Sequence, residues 1–154
     1  MSKSFTEPLR QIRNKKARFN YQVLDHLETG IVLKGTEVKS LRLGRASLDE
    51  AFARIVDGEV VLFGCHIEPY KQGNRFNHEP LRPRKLLLHR REIKRLRPKV
   101  VQRGQTLVPL SIYFNDRGLA KVDLALVTGK SHRDKREDVK KRDHAREVAR
   151  AMAR

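Results

Sequence analysis

One cysteine in 154 residues, Cys65, excludes an internal disulfide and any zinc site built from several thiolates. No run approaches the ~18 apolar residues of a membrane-spanning helix. The opening Met-Ser-Lys-Ser-Phe-Thr-Glu-Pro lacks the apolar stretch of a secretory leader. Hydrophobic residues reach 38%, enough for one modest core and too few for two. Acids are scarce too: 18 Asp+Glu face 35 Lys+Arg, a formal net charge of +17. These shortages describe a reduced, cytoplasmic, strongly basic chain with one folded domain and an appendage.

Catalytic signatures are also missing. Gly129-Lys130-Ser131 has the end of a phosphate loop, but Leu124 stands where its first glycine belongs. Gly30 and Gly35 have the right separation, but Thr36 replaces the lysine. There is no G-x-S-x-G, H-E-x-x-H or G-x-G-x-x-G. Cys65 lies in an apolar segment, the setting of a structural thiol rather than a nucleophile. No His, Cys or carboxylate set has metal-ligand spacing. The expectation is a binding protein with no catalytic residues, no metal and no cofactor.

What is abundant is positive charge, and it is clustered. Residues 1–20 carry net +5, residues 21–68 net −3, residues 69–99 net +9, residues 100–129 net +1 and residues 130–154 net +5. A solvating halo would mix its signs more evenly. Clusters of this size are the footprint of nucleic-acid binding.

The near-neutral segments read as β-structure. Phe52–Val56, Asp57-Gly58 and Glu59–Phe63 form strand, type I′ turn and strand. A second hairpin runs from Leu107 to Val127 around Asn115–Gly118. Val108, Leu110, Ile112 and Phe114 alternate on one arm, and Ala120, Val122, Leu124 and Leu126 on the other. Residues 21–24 and 30–33 read as two further strand segments. Thr36–Leu43 and Arg90–Val101 read as helices, the second expected to kink or end early at Pro98. Several short strands with helices between them fit a mainly β, OB-type closed barrel.

Two segments lack a core pattern. Residues 69–85 form a long loop with aromatics among amides and guanidiniums, a length that is uncommon without function. The tail from Gly129 carries only a thin apolar stripe, Ala145, Val148, Ala149 and Met152. It is expected to be disordered alone and to fold on binding.

Five blocks then resemble one family, in order: residues 14–18, residues 35–42, the loop of residues 70–78, residues 82–88, and Gly129-Lys130 with residues 134–137. Together they are similar to the SmpB family, the SsrA-binding proteins of bacterial trans-translation, from about residue 14 to the C-terminus. The resemblance implies an OB-type barrel (residues 14–129) after an arm (residues 1–13). It also implies a basic tail (residues 130–154) that turns helical on the ribosome. The implied partners are the tRNA-like domain of tmRNA, EF-Tu in the same delivery complex, and the small-subunit decoding centre and mRNA channel. No membrane is involved, and the free protein is expected to be monomeric.

Lys15, Lys16, Arg18, Arg75, Arg82, Arg84 and Lys85 are suited to phosphates. Phe76 is suited to stacking on an unpaired base while neighbouring amides read its edges. The resemblance extends this RNA-contact set to Asn14, Glu37, Lys39, Arg42, Gln72, Gly73, Asn74, Asn77, Leu87 and Lys121. For Glu37 a surface or capping role competes, and for Leu87 a place in a core strand. The tail set is Lys130, His132, Arg133, Asp134, Lys135, Arg136, Lys140, Lys141 and Arg142. The family has an aromatic or histidine just before its Asp-Lys-Arg triplet. Here Arg133 stands there, with His132 one residue earlier, and either can stack. A small ribosomal protein, an RNA chaperone or an RNA-processing enzyme would share the charge but does not require these ordered blocks.

Overall fold

A computed structural model describes residues 11–153 apart from residues 103 and 131, and without the side chains of Asn74, His132, Arg133 and Asp134. Its strands are β1 (Ile12–Arg13), β2 (Tyr21–Ile31), β3 (Ala46–Ser47), β4 (Phe52–Val56), β5 (Glu59–Phe63), β6 (His66–Ile67), β7 (Arg84–Leu87), β8 (Gln105–Phe114) and β9 (Ala120–Gly129). Its helices are α1 (Ala17–Asn20), α2 (Gly35–Arg42), α3 (Arg90–Val100) and α4 (His132–Met152), with a 3-10 segment at Lys71–Phe76. The expected closure is present. The strands run β8-β4-β5-β7-β2-β9, and β9 pairs back to β8, so six strands complete a ring.

The Asp57-Gly58 turn has positive φ at both residues, 51° and 78°, as a type I′ hairpin requires. Inside the ring lie Leu62, Leu86, Leu107, Ile112, Val122 and Leu124. Burying each such side chain stabilises the fold by roughly 1.5–3 kcal/mol. The small strands β3 and β6 pair beside the barrel.

Several expectations need correction. Residues 21–24 and the start of 30–33 belong to one strand, the 11-residue β2, which has a register shift between Val23 and Asp25 and ends at Ile31. The four alternating residues of β8 do not share a face. A register shift between Pro109 and Ser111 inserts one residue, so Ile112 and Phe114 enter the barrel while Val108 and Leu110 lie outside it. There they form a second cluster with Ala17, Ala125 and Val127. α3 runs through Pro98 to Val100 because buried Leu96 and half-buried Ile93 and Val100 hold its apolar stripe on the core.

The arm also shortens. Ile12 and Arg13 pair with Ile112 and Ser111, and Ile12 is buried. Residues 1–10 lie outside the described residues. The tail forms the 21-residue helix α4, the state the resemblance implies for it on the ribosome, with nearly every described side chain exposed. It rests on α1: Lys135 and Arg142, two turns apart, hold their charges 5.9 and 4.8 Å from the centre of the Phe19 ring. Lys130 donates to the carbonyl of Arg18 at 2.7 Å and to the carboxylate of Asp138. No described helix is long and apolar enough to cross a membrane.

Candidate RNA interface

The site begins with a buried ion cluster at the start of α2. Glu37 stands at the third position of the helix and accepts the N–H of Lys34 at 2.7 Å, which caps the start of the helix. Its other contacts are guanidiniums: Arg82 Nη2 at 2.6 Å and Arg84 Nε at 2.5 Å. Burial alone pushes this carboxyl up. The hydrogen bonds from Arg82, Lys34 and Arg84, with the charge of Arg84, outweigh it and hold the group below its ordinary 4.5. Arg84 also donates to the carbonyls of Cys65 at 2.7 Å and Pro80 at 3.1 Å.

Two members of the RNA-contact set are therefore corrected. Glu37 and Arg84 are both fully buried, so neither can touch a ligand. Glu37 takes the capping role, and the pair clamps α2 to β7. Residues 69–85 are thus less of a loop than their composition suggests. Arg82, one-quarter exposed, is held at the rim of this cluster. Asn14 is also buried, donating to the carbonyl of Pro109 at 3.0 Å, where the bulged proline strand needs a partner. It pins α1 to β8 rather than facing outward. The Cys65 thiol is pushed up to about 11, first by burial, with Glu37 adding and Arg84 opposing. It is a poor nucleophile.

The 3-10 segment forms a knob anchored on this base. His78 is buried between the Thr36 hydroxyl at 2.8 Å and the Ile67 carbonyl at 2.9 Å. The Asn77 side chain accepts the Tyr70 N–H at 2.9 Å and donates to the Tyr70 carbonyl at 2.5 Å. Gly73 packs so closely that a Cβ there would come within 2.8 Å of the Asn77 amide. Asn77 and Gly73 therefore shape the knob. Lys71, Gln72, Arg75 and Phe76 are displayed on it, Phe76 at 77% exposure with Arg75 5.0 Å above its ring. An exposed aromatic beside a free guanidinium is a platform for an unstacked base. Lys39 lies over the Tyr70 ring at 5.3 Å and Arg42 over Phe114 at 5.3 Å, both exposed along α2.

A second candidate surface, the wall of β7, β2 and β9, brings two distant residues together. Gly30 pairs with Leu87 on one side and Lys121 on the other, so the three share one row. Leu87 is half exposed, which settles it outside the core, whereas Leu86 points inward. A Cβ on Gly30 would sit 3.1 Å from the Leu87 Cβ, so the missing side chain lets Leu87 lie close against β2. Gly30 thus belongs to the same row of the candidate wall, and the sequence signalled it only as a glycine at the start of a strand segment. Lys85, exposed on the same strand, pairs with Glu59 at 2.8 Å.

Lys15, Lys16 and Arg18 are exposed around α1, away from the knob in sequence and next to the tail. Phe19, which anchors that tail, was not signalled by any motif. Lys140, Lys141, Arg142 and Arg136 are exposed along α4. His132, Arg133 and Asp134 lie outside the described side chains, so their orientation is not assigned.

The family model of the SmpB protein matches residues 11–154. The SsrA-binding protein of Moorella thermoacetica is 59% identical over 139 residues, 90% of each chain. That of Brucella suis is 54% identical over 154 residues, 99% of this chain and 98% of its own. A solved structure described as "tmRNA-SmpB: a journey to the center of the bacterial ribosome" superposes with a TM-score of 0.68 at 51% identity, over 84% of this chain and 94% of the other. The chain belongs to the SmpB family.

Proposed function

We propose that this chain binds the tRNA-like domain of tmRNA, delivers it with EF-Tu to bacterial ribosomes stalled on truncated mRNA, and so allows the stalled peptide to be tagged. The observation that carries the reading is the 51% identical tmRNA-SmpB chain, whose match covers 84% of this one at a TM-score of 0.68. The geometry supports it: the chain displays an aromatic-guanidinium knob and an apolar and basic wall, surfaces suited to RNA loops rather than to a duplex groove. The protein works by binding rather than catalysis, as a cytoplasmic monomer when free. Residues 14–129 hold the RNA, and residues 130–154 act at the decoding centre and in the empty mRNA channel. There Lys135, Arg136, Lys140, Lys141 and Arg142 would lie along rRNA walls.

The test is a gel shift of the purified chain with the tRNA-like half of tmRNA beside ordinary tRNA. Preferential retention of the tmRNA half is expected. Equal retention of both would favour a general RNA chaperone.

A further inference from the structure

The wall does not end at Leu87. The chain turns through Leu88 and His89 into α3, which carries Arg90, Arg91, Lys94, Arg95, Arg97 and Lys99 against one acid, Glu92. Glu92 is already engaged, accepting the N–H of His89 at 2.8 Å to cap the helix. Leu96 is buried and Ile93 packs on the core, so the rotation of α3 is fixed. Arg90, Lys94 and Arg97 then fall at i, i+4 and i+7 on one stripe. They line a groove of about 580 Å³ with Lys85, Leu87 and Ile93.

Among the described residues, Arg90, Lys94 and Arg97 have no ion-pair partner, whereas Arg95 on the opposite stripe approaches Asp25 at 4.0 Å. The groove's own acids are Asp57 and Glu59, and Glu59 is paired with Lys85. A merely solvated helix face would interleave acids with its cations. Three like charges within two helical turns repel one another and are relieved by an anion. Successive members stand about 4.5–6 Å apart along the axis, close to the step between phosphates of an RNA strand.

We infer that the β7–α3 groove is a further RNA-backbone site, in which Arg90, Lys94 and Arg97 take successive phosphates of the same tmRNA that lies on the Leu87–Lys121 wall. This rests on the functional reading above and lengthens its interface. RNA is favoured over an acidic protein because the groove shares Leu87 and Lys85 with that wall. The bound strand would cross from strand to helix without leaving basic surface.

The experiment is fluorescence anisotropy of the full chain with the tRNA-like half of tmRNA and with ordinary tRNA, across about 50–200 mM salt. The Arg90→Gln, Lys94→Gln, Arg97→Gln triple variant is compared with an Arg91→Gln, Arg95→Gln control. Glutamine keeps helix propensity at these exposed positions, so the folds should be intact. The log–log salt slope should shrink by about two to three in the triple variant and stay near wild type in the control. Lys94→Glu alone should weaken binding at low salt. An unchanged slope in the triple variant, or an equal loss per charge in the control, would overturn the groove. Slope loss on both RNAs without preference for tmRNA would overturn the functional reading and leave the groove as an RNA site.

Discussion

Glu37 Oε2 and Arg84 Nε meet at 2.5 Å, and neither side chain reaches solvent. Residues 47 positions apart thereby lock the helix that carries Thr36 and Lys39 to the strand that carries Lys85 and Leu87. Removing one partner of a buried pair leaves the other charge uncompensated, at a cost of about 3–5 kcal/mol. Glu37→Gln should therefore lower Tm by on the order of 6–20 °C, at about 2–4 °C per kcal/mol for this size. Thermal denaturation checks it; a Tm unchanged from wild type would mean that the cluster adds nothing.

The same carboxylate sets an acid limit. Its folded pKa lies below the ordinary 4.5, so the unfolded state binds more protons as pH falls through that range. Its stabilisation is present above the unfolded pKa and is lost as pH drops below about 4.5 through the folded value. Asp138 is shifted the same way by its Lys130 hydrogen bond, despite its exposure, so wild type alone does not isolate Glu37. Urea midpoints from pH 6 to pH 3 should fall more steeply in wild type than in Glu37→Gln. Parallel curves would remove Glu37 as the cause.

Much of this arrangement was legible in the sequence, and the exceptions have physical reasons. Asp57-Gly58 and the alternation of β9 gave their hairpins because turn chemistry and period are local. β2 read as two pieces because Asp25, His26 and Glu28 interrupt its apolar residues. His26 and Glu28 lie on its outer face, where His26 meets Asp123 at 3.2 Å and Glu28 accepts from the Tyr113 hydroxyl, whereas Asp25 alternates to the other side, toward Arg95 at 4.0 Å. Leu110 misled because a bulge is invisible to a period-two count. Arg84 misled more, since an arginine in a polar segment reads as exposed until Glu37 is brought beside it. Leu87 and Lys121 were named through the family resemblance, but only the barrel register shows that Gly30 joins them.

On the knob, stability and binding should separate. Phe76 is too exposed to support the core, so Phe76→Ala should change stability by no more than about 0.5 kcal/mol. If it stacks on a base, affinity for the tRNA-like half of tmRNA should fall by about 1–3 kcal/mol. Arg75→Ala should reduce the salt slope by about 0.7–0.9, one phosphate contact. Arg84→Ala should instead cost about 3–5 kcal/mol of stability, because it strips the buried Glu37 carboxylate of one of its partners. Full affinity after Phe76→Ala would place the RNA elsewhere.

Gly30 offers a finer probe of the wall. Gly30→Ala puts a methyl 3.1 Å from the Leu87 Cβ and 3.2 Å from its Cδ1, so Leu87 must give way by a few tenths of an ångström. RNA affinity should drop in this variant and in Leu87→Ala, and the double variant should lose no more than the worse single one, since both act through the same side chain. Additive losses in equilibrium binding would show that Gly30 does not act by seating Leu87.

The tail gives the sharpest separation of binding from function. α4 is fastened by Lys130 and by two cations on the Phe19 ring, the latter worth about 0.5–1 kcal/mol each. Truncation after Gly129 should therefore leave Tm within a few degrees of wild type. It should spare tmRNA affinity too, since knob and wall remain. Peptide tagging on stalled ribosomes should nevertheless fail, because the basic helix proposed for the mRNA channel would be missing. Reversing Lys140, Lys141 and Arg142 to Glu should show the same division, with repulsion from rRNA replacing attraction. Phe19→Ala should differ from both: it releases α4 from the barrel but leaves its charges, so tagging should persist. Both assays belong on the same protein preparations, in a reconstituted translation system beside equilibrium RNA binding. Tagging by the truncated chain at the wild-type level would make α4 a solvated appendage. Loss of tagging in Phe19→Ala would instead make its docking on α1 part of the working state.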